Sequence, residues 1–301
     1  MARFLVTGVT GFIGSNLTLE LLRLGHEVVG IGSNTEQDLP KLDNLLVLEK
    51  EFVNISYLGK FDAVFHQGAL TDTTATDEKA MFDANVKYSK NLFKKVLKNG
   101  CRHIVFASST AVYGNSSAPY IEGKTLLNPL NAYARSKRAL EEIAFEFAFQ
   151  HPEITVVGLR YCNVYGPGES HKGKAASMVY QLAKQILKTN PRIFKYGEQK
   201  RDFVYIDDVV NANLLALKLK QSTILNCGSG KTTTFNDLIK ILNLVLGTDR
   251  KPTYIDNPYE DKYQSHTQCD MALAKEILGF IPKFNIEKGI KKYYNSGYLT
   301  K

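Results

Sequence analysis

Arg3-Phe4-Leu5-Val6-Thr7-Gly8-Val9-Thr10-Gly11-Phe12-Ile13-Gly14 is the stretch that decides the fold. Its first five residues form an apolar run that reads as a strand, and Leu17, Leu21 and Leu22 recur after it at helical spacing. A strand that passes through a glycine-rich turn into a helix opens a doubly wound parallel α/β sheet of the Rossmann type, with a dinucleotide site at the turn. Gly8 permits the tight turn, Gly11 lets a pyrophosphate approach the helix start, and Gly14 lets helix and strand pack closely. Free N–H groups and the macrodipole favour an anion there. Gly8, Thr10, Gly11, Phe12, Ile13 and Gly14 are therefore the expected cofactor contacts.

The next strand covers residues 27–31. A site that prefers NAD commonly ends this strand with an acid on the ribose 2′-hydroxyl. Gly32-Ser33-Asn34 stands there instead. Ser33 and Asn34 are small and polar and repel no 2′-phosphate, so NADP is the expected cofactor. NAD is the alternative if Glu36 or Asp38 takes the acid's place. A third strand, 61–66, runs into Gln67-Gly68-Ala69-Leu70 and a polar loop that includes Thr73. Such loops lie at the carboxyl edge of a parallel sheet, where ligands bind. Gln67 and Ala69 are expected beside the cofactor and Thr73 beside the substrate, while His66 reads as a structural strand-end histidine. Asn85 lies near the start of a helix expected over 82–97. It is placed at the cofactor side, steadying a buried backbone or a water.

Asn131-Ala132-Tyr133-Ala134-Arg135-Ser136-Lys137 opens a further helix. Tyr133 and Lys137, four residues apart, share one helix face. A phenol titrates near pH ~10, and a neighbouring ammonium favours the phenolate and lowers that value. The pair is thus a candidate proton shuttle for an alcohol being oxidised or a ketone being reduced, with Lys137 also holding the cofactor ribose. Upstream, an apolar strand ends at Ser108-Ser109-Thr110, and the Ser109 hydroxyl is placed to orient the same oxygen. The helix carries one apolar stripe at Leu140, Ile143, Ala144 and Phe147 and a second at Phe145, Ala148 and Phe149. Two stripes call for cover on both sides, so a homo-oligomer is expected.

The 301 residues are 44% hydrophobic and 23% charged with a formal charge of +8, an ordinary globular composition that suits an anionic ligand. Lysines are spread rather than clustered with aromatics, so nucleic acid is not an expected partner. No apolar run is long enough to cross a bilayer, no membrane partner is expected, and residues 1–8 do not read as a signal peptide. The four cysteines, Cys101, Cys162, Cys227 and Cys269, are far apart and suggest neither a metal site nor a disulfide framework. They fit a reducing, cytoplasmic location. Gly228-Ser229-Gly230-Lys231-Thr232 has the look of a phosphate-binding loop but lacks the first glycine at the required spacing.

Residues 1–165 read as the dinucleotide-binding unit, rejoined by about 202–228, with 166–201 and 229–301 as a second, smaller α/β substrate domain. The Gly8–Gly14 turn, Ser109, Tyr133, Lys137 and Arg160-Tyr161-Cys162-Asn163-Val164-Tyr165-Gly166-Pro167 resemble the extended short-chain dehydrogenase/reductases that act on nucleotide sugars. Gly168-Glu169-Ser170-His171-Lys172-Gly173, Ala176-Ser177-Met178, Arg201-Asp202-Phe203 and Tyr263-Gln264-Ser265-His266-Thr267-Gln268 narrow the likeness to the ADP-glycero-manno-heptose 6-epimerases among them. The resemblance implies epimerisation by transient oxidation on bound NADP, with a nucleotide-diphosphate sugar as substrate. It implies a second base at Lys172 and substrate contacts at Ser177 and Tyr263. Asn163 at the strand end and Arg201, a planar guanidinium suited to a diphosphate, complete the expected substrate set. Gly168 and Gly32 depart from the family pattern, where Arg and an acid are usual. A UDP-hexose 4-epimerase shares the Ser/Tyr/Lys set and is the nearest alternative, and a non-catalytic sugar-nucleotide-binding scaffold is the alternative of another class. Thr110-Ala111 cannot supply the acid and base of a dehydratase.

Overall fold

A parallel sheet grows from short apolar strands that return, one after another, through helices. The computed structural model describes residues 1–32, 43–49, 59–72, 77–258 and 263–300. The first part of the chain runs β1 (Arg3–Thr7), α1 (Phe12–Arg23), β2 (Glu27–Gly32), β3 (Leu45–Glu49), β4 (Ala63–His66), α2 (Glu78–Phe82), α3 (Tyr88–Lys98), β5 (His103–Ser109), α4 (Ala132–Gln150) and β6 (Thr155–Tyr161). The remainder runs β7 (Asn163–Tyr165), α5 (Met178–Ile186), β8 (Arg192–Phe194), β9 (Lys200–Tyr205), α6 (Ile206–Ala216), β10 (Thr223–Cys227), β11 (Thr232–Thr234), α7 (Phe235–Leu246), β12 (Thr253–Ile255), α8 (Ala272–Leu278) and α9 (Ile286–Asn295).

Seven strands form one parallel sheet in the order β10-β6-β5-β4-β1-β2-β3. The strand that starts at Thr223 pairs with β6 at the sheet's edge. Alternation along each strand sends side chains to opposite faces. Phe4, Val6, Val105 and Ala107 join the core under α1 and α6, whereas Leu5, Ile104 and Phe106 join the core under α3 and α4. The strand order reverses between β1 and β4, which opens a crevice at their carboxyl ends. Two small sheets, β11-β9-β7 and β12-β8, carry the second lobe. Its helices α5, α7 and α9 pack into the first of those cores without a break.

Three local results differ from the sequence expectations. The helix expected over 82–97 is interrupted by a π-turn at Asp83–Lys87 between α2 and α3. The wider turn rotates Asn85 inward and leaves Val86 only half-buried. Cys162 and Cys269 are joined as a disulfide, a pairing hidden in the sequence by a separation of 107 residues. Folding brings the end of β6 against the segment after Tyr263. The apparent phosphate-binding loop is filled by the protein's own carboxylate. Asp202 accepts from Ser229 N (2.7 Å), Ser229 Oγ (2.6 Å), Gly230 N (3.0 Å) and Cys269 N (3.1 Å).

Along α4 the second stripe is open: Phe145 is 53% exposed and Phe149 90%. With Ala148, Pro152 and Ile154 they form the apolar side of a shallow groove whose other side is Lys220, Gln221 and Ser222. A second copy of the chain is the expected cover. Light scattering at micromolar concentration should report an oligomer, and F145E/F149E should convert it to monomer; a monomeric parent would contradict this expectation.

Candidate active site

Gly8 sits at φ +68°, and a Cβ on it would lie 2.7 Å from Gly68 at the end of β4. The turn therefore closes directly on the crevice. A Cβ on Gly14 would lie 2.0 Å from the Gly8 carbonyl oxygen, so the start of α1 can approach β1 only with glycine there. Gly11 caps α1 without a side-chain bond, which leaves the helix's first N–H groups, at Phe12 and Ile13, free for an anion. These features fit a dinucleotide pyrophosphate. Thr10 is buried against Gly32: a Cβ at 32 would lie 2.8 Å from Thr10 Oγ1, so the bare position at the end of β2 makes room for the turn. Ser33, Asn34 and Thr73 lie outside the described residues.

Beyond β4, Gln67 is held from both ends, its Nε2 donating to Asn213 Oδ1 (3.0 Å) and its Oε1 accepting from Tyr161 OH (3.0 Å). Ala69 lies half-buried on the same loop. Asn85 Oδ1 accepts from Leu70 N (2.8 Å), while its Nδ2 donates to Leu70 O (2.9 Å) and Ser136 Oγ (3.0 Å). Its amide is spent on protein, so it shapes the loop instead of pointing at a ligand. His66 is likewise structural, bonded to Thr7 Oγ1 (2.6 Å) and Ser89 Oγ (2.7 Å).

The Asn131 side chain accepts from Ala134 N (2.9 Å) and so starts α4 just before Tyr133. Tyr133 is half-buried beside Ser109. Burial raises the Tyr133 phenol, with the neighbouring Ser109 hydroxyl acting the other way. The expected lowering by Lys137 is not met. The ammonium lies 5.8 Å from the ring centre and donates instead to the Ala107 carbonyl at 2.7 Å. Burial pulls Lys137 down to about 8, against the pull of Glu141.

Glu141 escaped the sequence reading. It looks like a solvated helix charge, yet it accepts from Ser108 Oγ (2.5 Å), Arg160 Nε (2.8 Å) and Arg160 Nη2 (2.6 Å) in the core. The one available hint was Arg160, a charge on an otherwise apolar strand.

On the substrate side, Arg201 is 8% exposed and has no acidic partner among the described residues. Asp202 is occupied as above, and Asp207 pairs with Lys292. The guanidinium lies 4.9 Å from the Tyr263 ring and 5.6 Å from the Phe235 ring, and burial lowers its proton affinity. Ser177 caps α5 and donates to Glu169 Oε1 (2.9 Å), a buried carboxylate that also accepts from Gly166 N (3.1 Å). Asn163 is exposed and accepts from Thr267 Oγ1 (3.2 Å). Lys172 is half-buried with its Nζ 5.5 Å over the Phe12 ring, so it faces the cofactor turn; burial lowers its value and Glu169 opposes this. Cys162, Asp202 and Cys269 group closely enough for a metal, but the two sulfurs are bonded to each other and the carboxylate is saturated by donors.

A Ser–Tyr–Lys set beside a dinucleotide turn defines a nicotinamide-using enzyme of the short-chain dehydrogenase/reductase type. The chain belongs to the NAD dependent epimerase/dehydratase family, whose match spans residues 4–228. Over 98% of its length it is 37% identical to the ADP-L-glycero-D-manno-heptose-6-epimerase of Brachyspira hyodysenteriae, 99% of which it covers. The crystal structure of the Helicobacter pylori ADP-L-glycero-D-manno-heptose-6-epimerase is similar at 34% identity with a TM-score of 0.85, covering 98% of this chain and 96% of that one. The UDP-glucose 4-epimerase of Thermotoga maritima, solved with UDP-glucose, matches at 30% identity and a TM-score of 0.87, covering 98% and 99%.

Lys137 predicts a pH effect. Below about pH 8 its ammonium is present, and above it the charge is lost even though a solvated lysine keeps its proton to 10.5. For stability the sign is the reverse of a salt bridge: the buried charge opposes folding at low pH, and the penalty eases as pH rises from about 8 towards 10.5. For turnover, kcat/KM should fall on an alkaline limb near pH 8, since that profile reports the free enzyme. A profile flat to pH ~10, where a free phenol titrates, would contradict the assignment.

Proposed function

We propose that this protein is an ADP-glycero-manno-heptose 6-epimerase, inverting one carbinol carbon of a nucleotide-diphosphate sugar without net redox change. The observation that carries the proposal is Arg201, a buried cation with no acidic partner among the described residues, set between two aromatic rings and suited to a diphosphate. The heptose-specific choice draws on the similarity to the two heptose epimerases.

A bound nicotinamide dinucleotide supplies a place for hydride to go and return from. As its phenolate, Tyr133 takes the hydroxyl proton while the carbinol is oxidised, becoming the phenol, and returns that proton when the ketone is reduced. Ser109, beside Tyr133, holds that oxygen in place. Lys137 keeps a positive charge beside the phenol and would hold the ribose of a bound cofactor. Arg201 fixes the diphosphate while the sugar turns, so that hydride returns to the opposite face. Asn163, Ser177 and Tyr263 line the sugar-nucleotide side, and Asn85 acts on the site through Leu70. NADP is our choice of cofactor, supported by the absence of an acid at Gly32. A cytoplasmic location is our reading; among the described residues no helix is long and apolar enough to cross a membrane.

Incubating the purified protein with each cofactor and ADP- or UDP-sugars tests this directly. The expected product is the heptose epimer, formed faster with NADP. Turnover of UDP-glucose but not the ADP-heptose would favour the 4-epimerase reading.

Lys172 has two available roles, and its place over Phe12 favours a phosphate contact over the second base. If it binds phosphate, K172M should weaken substrate or cofactor binding and leave turnover at saturation nearly intact. If it is the second base, the same variant loses epimerisation by about 10² to 10⁴ in rate while one epimer still reduces the cofactor.

A further inference from the structure

Three successive residues at the end of β5 each serve one residue of α4. Ser109 neighbours Tyr133, the Ala107 carbonyl takes the Lys137 ammonium, and Ser108 Oγ donates to Glu141. The helix residues are 133, 137 and 141, one turn apart on a single face. We propose that Glu141 is the positioning residue of the Ser109–Tyr133–Lys137 set, fixing the register of α4 on the end of β5 through Ser108 and Arg160. The inference rests on the catalytic reading given above.

Glu141 brackets Ser109 from both sides. Before it, Ser108 is held directly at 2.5 Å. After it, the short helix Thr110–Tyr113 is held through Arg160, whose Nη1 donates to Tyr113 OH (2.7 Å). Tyr113 OH passes the chain on to Asn226 Oδ1 (2.8 Å) in β10, and Asn226 Nδ2 donates to Tyr120 O (2.9 Å). Every bond runs in one direction, from guanidinium to phenol to amide to carbonyl, so no member can reverse without breaking its neighbour. Both carboxylate oxygens are engaged: Oε1 accepts from Ser108 and Arg160 Nε, and Oε2 accepts from Arg160 Nη2. A buried ion pair is a weak source of net stability, because desolvation consumes most of its Coulomb energy. Its directional geometry is what an apolar pair of similar volume cannot supply. Lys137, with its hydrogen bond to a strand-end carbonyl, depends on that geometry for its place beside Tyr133.

The test removes the pair without leaving a lone charge. E141M/R160M replaces both partners with apolar side chains, which keeps the core filled. Turnover of the parent with its sugar nucleotide is measured first; absence of turnover there is a failure of the functional reading, not of this one. In the folded double variant, kcat should fall by about tenfold to a hundredfold with substrate KM little changed, the cost of misplacing a catalytic group by an ångström. Calorimetry should show the nicotinamide cofactor bound about tenfold more weakly, since Lys137 shifts with the helix. A merely structural pair would lower the melting temperature and leave kcat and cofactor affinity in the surviving folded protein at parent values, and that result overturns the proposal. If the double variant does not fold, S108A decides, because it removes only the strand-to-Glu141 bond. A lower kcat at unchanged KM supports the positioning role, and parent kcat refutes it.

Discussion

Lys137 is 3% exposed and spends its ammonium on the Ala107 carbonyl at 2.7 Å. A buried ammonium is costly unless its donors are used, so helix and strand end are bound to one relative position. That constraint explains the surrounding chemistry. It sets Tyr133 against Ser109, makes the alkaline limit of Lys137 unusually low, and gives Glu141 and Arg160 a task at the same junction. The crevice between β1 and β4 then places the dinucleotide turn on the same carboxyl edge of the sheet.

The second lobe is organised by buried carboxylates that hold backbone rather than ligand. Asp202 gathers the 229–230 turn and Cys269, Glu169 gathers Gly166 and Ser177, and Asp208 accepts from Lys283 N (2.9 Å) and Phe284 N (3.0 Å). Each acid offsets its desolvation with several N–H or O–H donors. Arg201 stands out against this pattern because no carboxylate among the described residues answers its charge.

What could be read from the sequence was local. The Gly8–Gly14 turn, the apolar strands and the Tyr133–Lys137 spacing each depend on a few neighbouring residues, so period and turn chemistry sufficed. What escaped was set by distance in the chain. Glu141 on α4 meets Arg160 on the following strand, β6, Cys162 meets Cys269 over 107 residues, and the 229–230 turn is filled by an aspartate from another strand. The phenol's direction was also missed, because an adjacent ammonium was expected to outweigh burial and is instead drawn to a carbonyl. The sequence marks Asn85 as a polar residue within an apolar helix, but its work on Leu70 depends on a π-turn that helical spacing does not reveal.

Carbon-bound hydrogen must leave and return within one closed site, while only the hydroxyl proton passes through Tyr133. The most direct test is to run the epimerisation in D₂O and examine the inverted carbon of the product by NMR. Hydride return requires that this carbon keep its protium through complete inversion. Deuterium at that carbon would contradict it, since it would show that the C–H bond is broken by proton abstraction and remade from solvent.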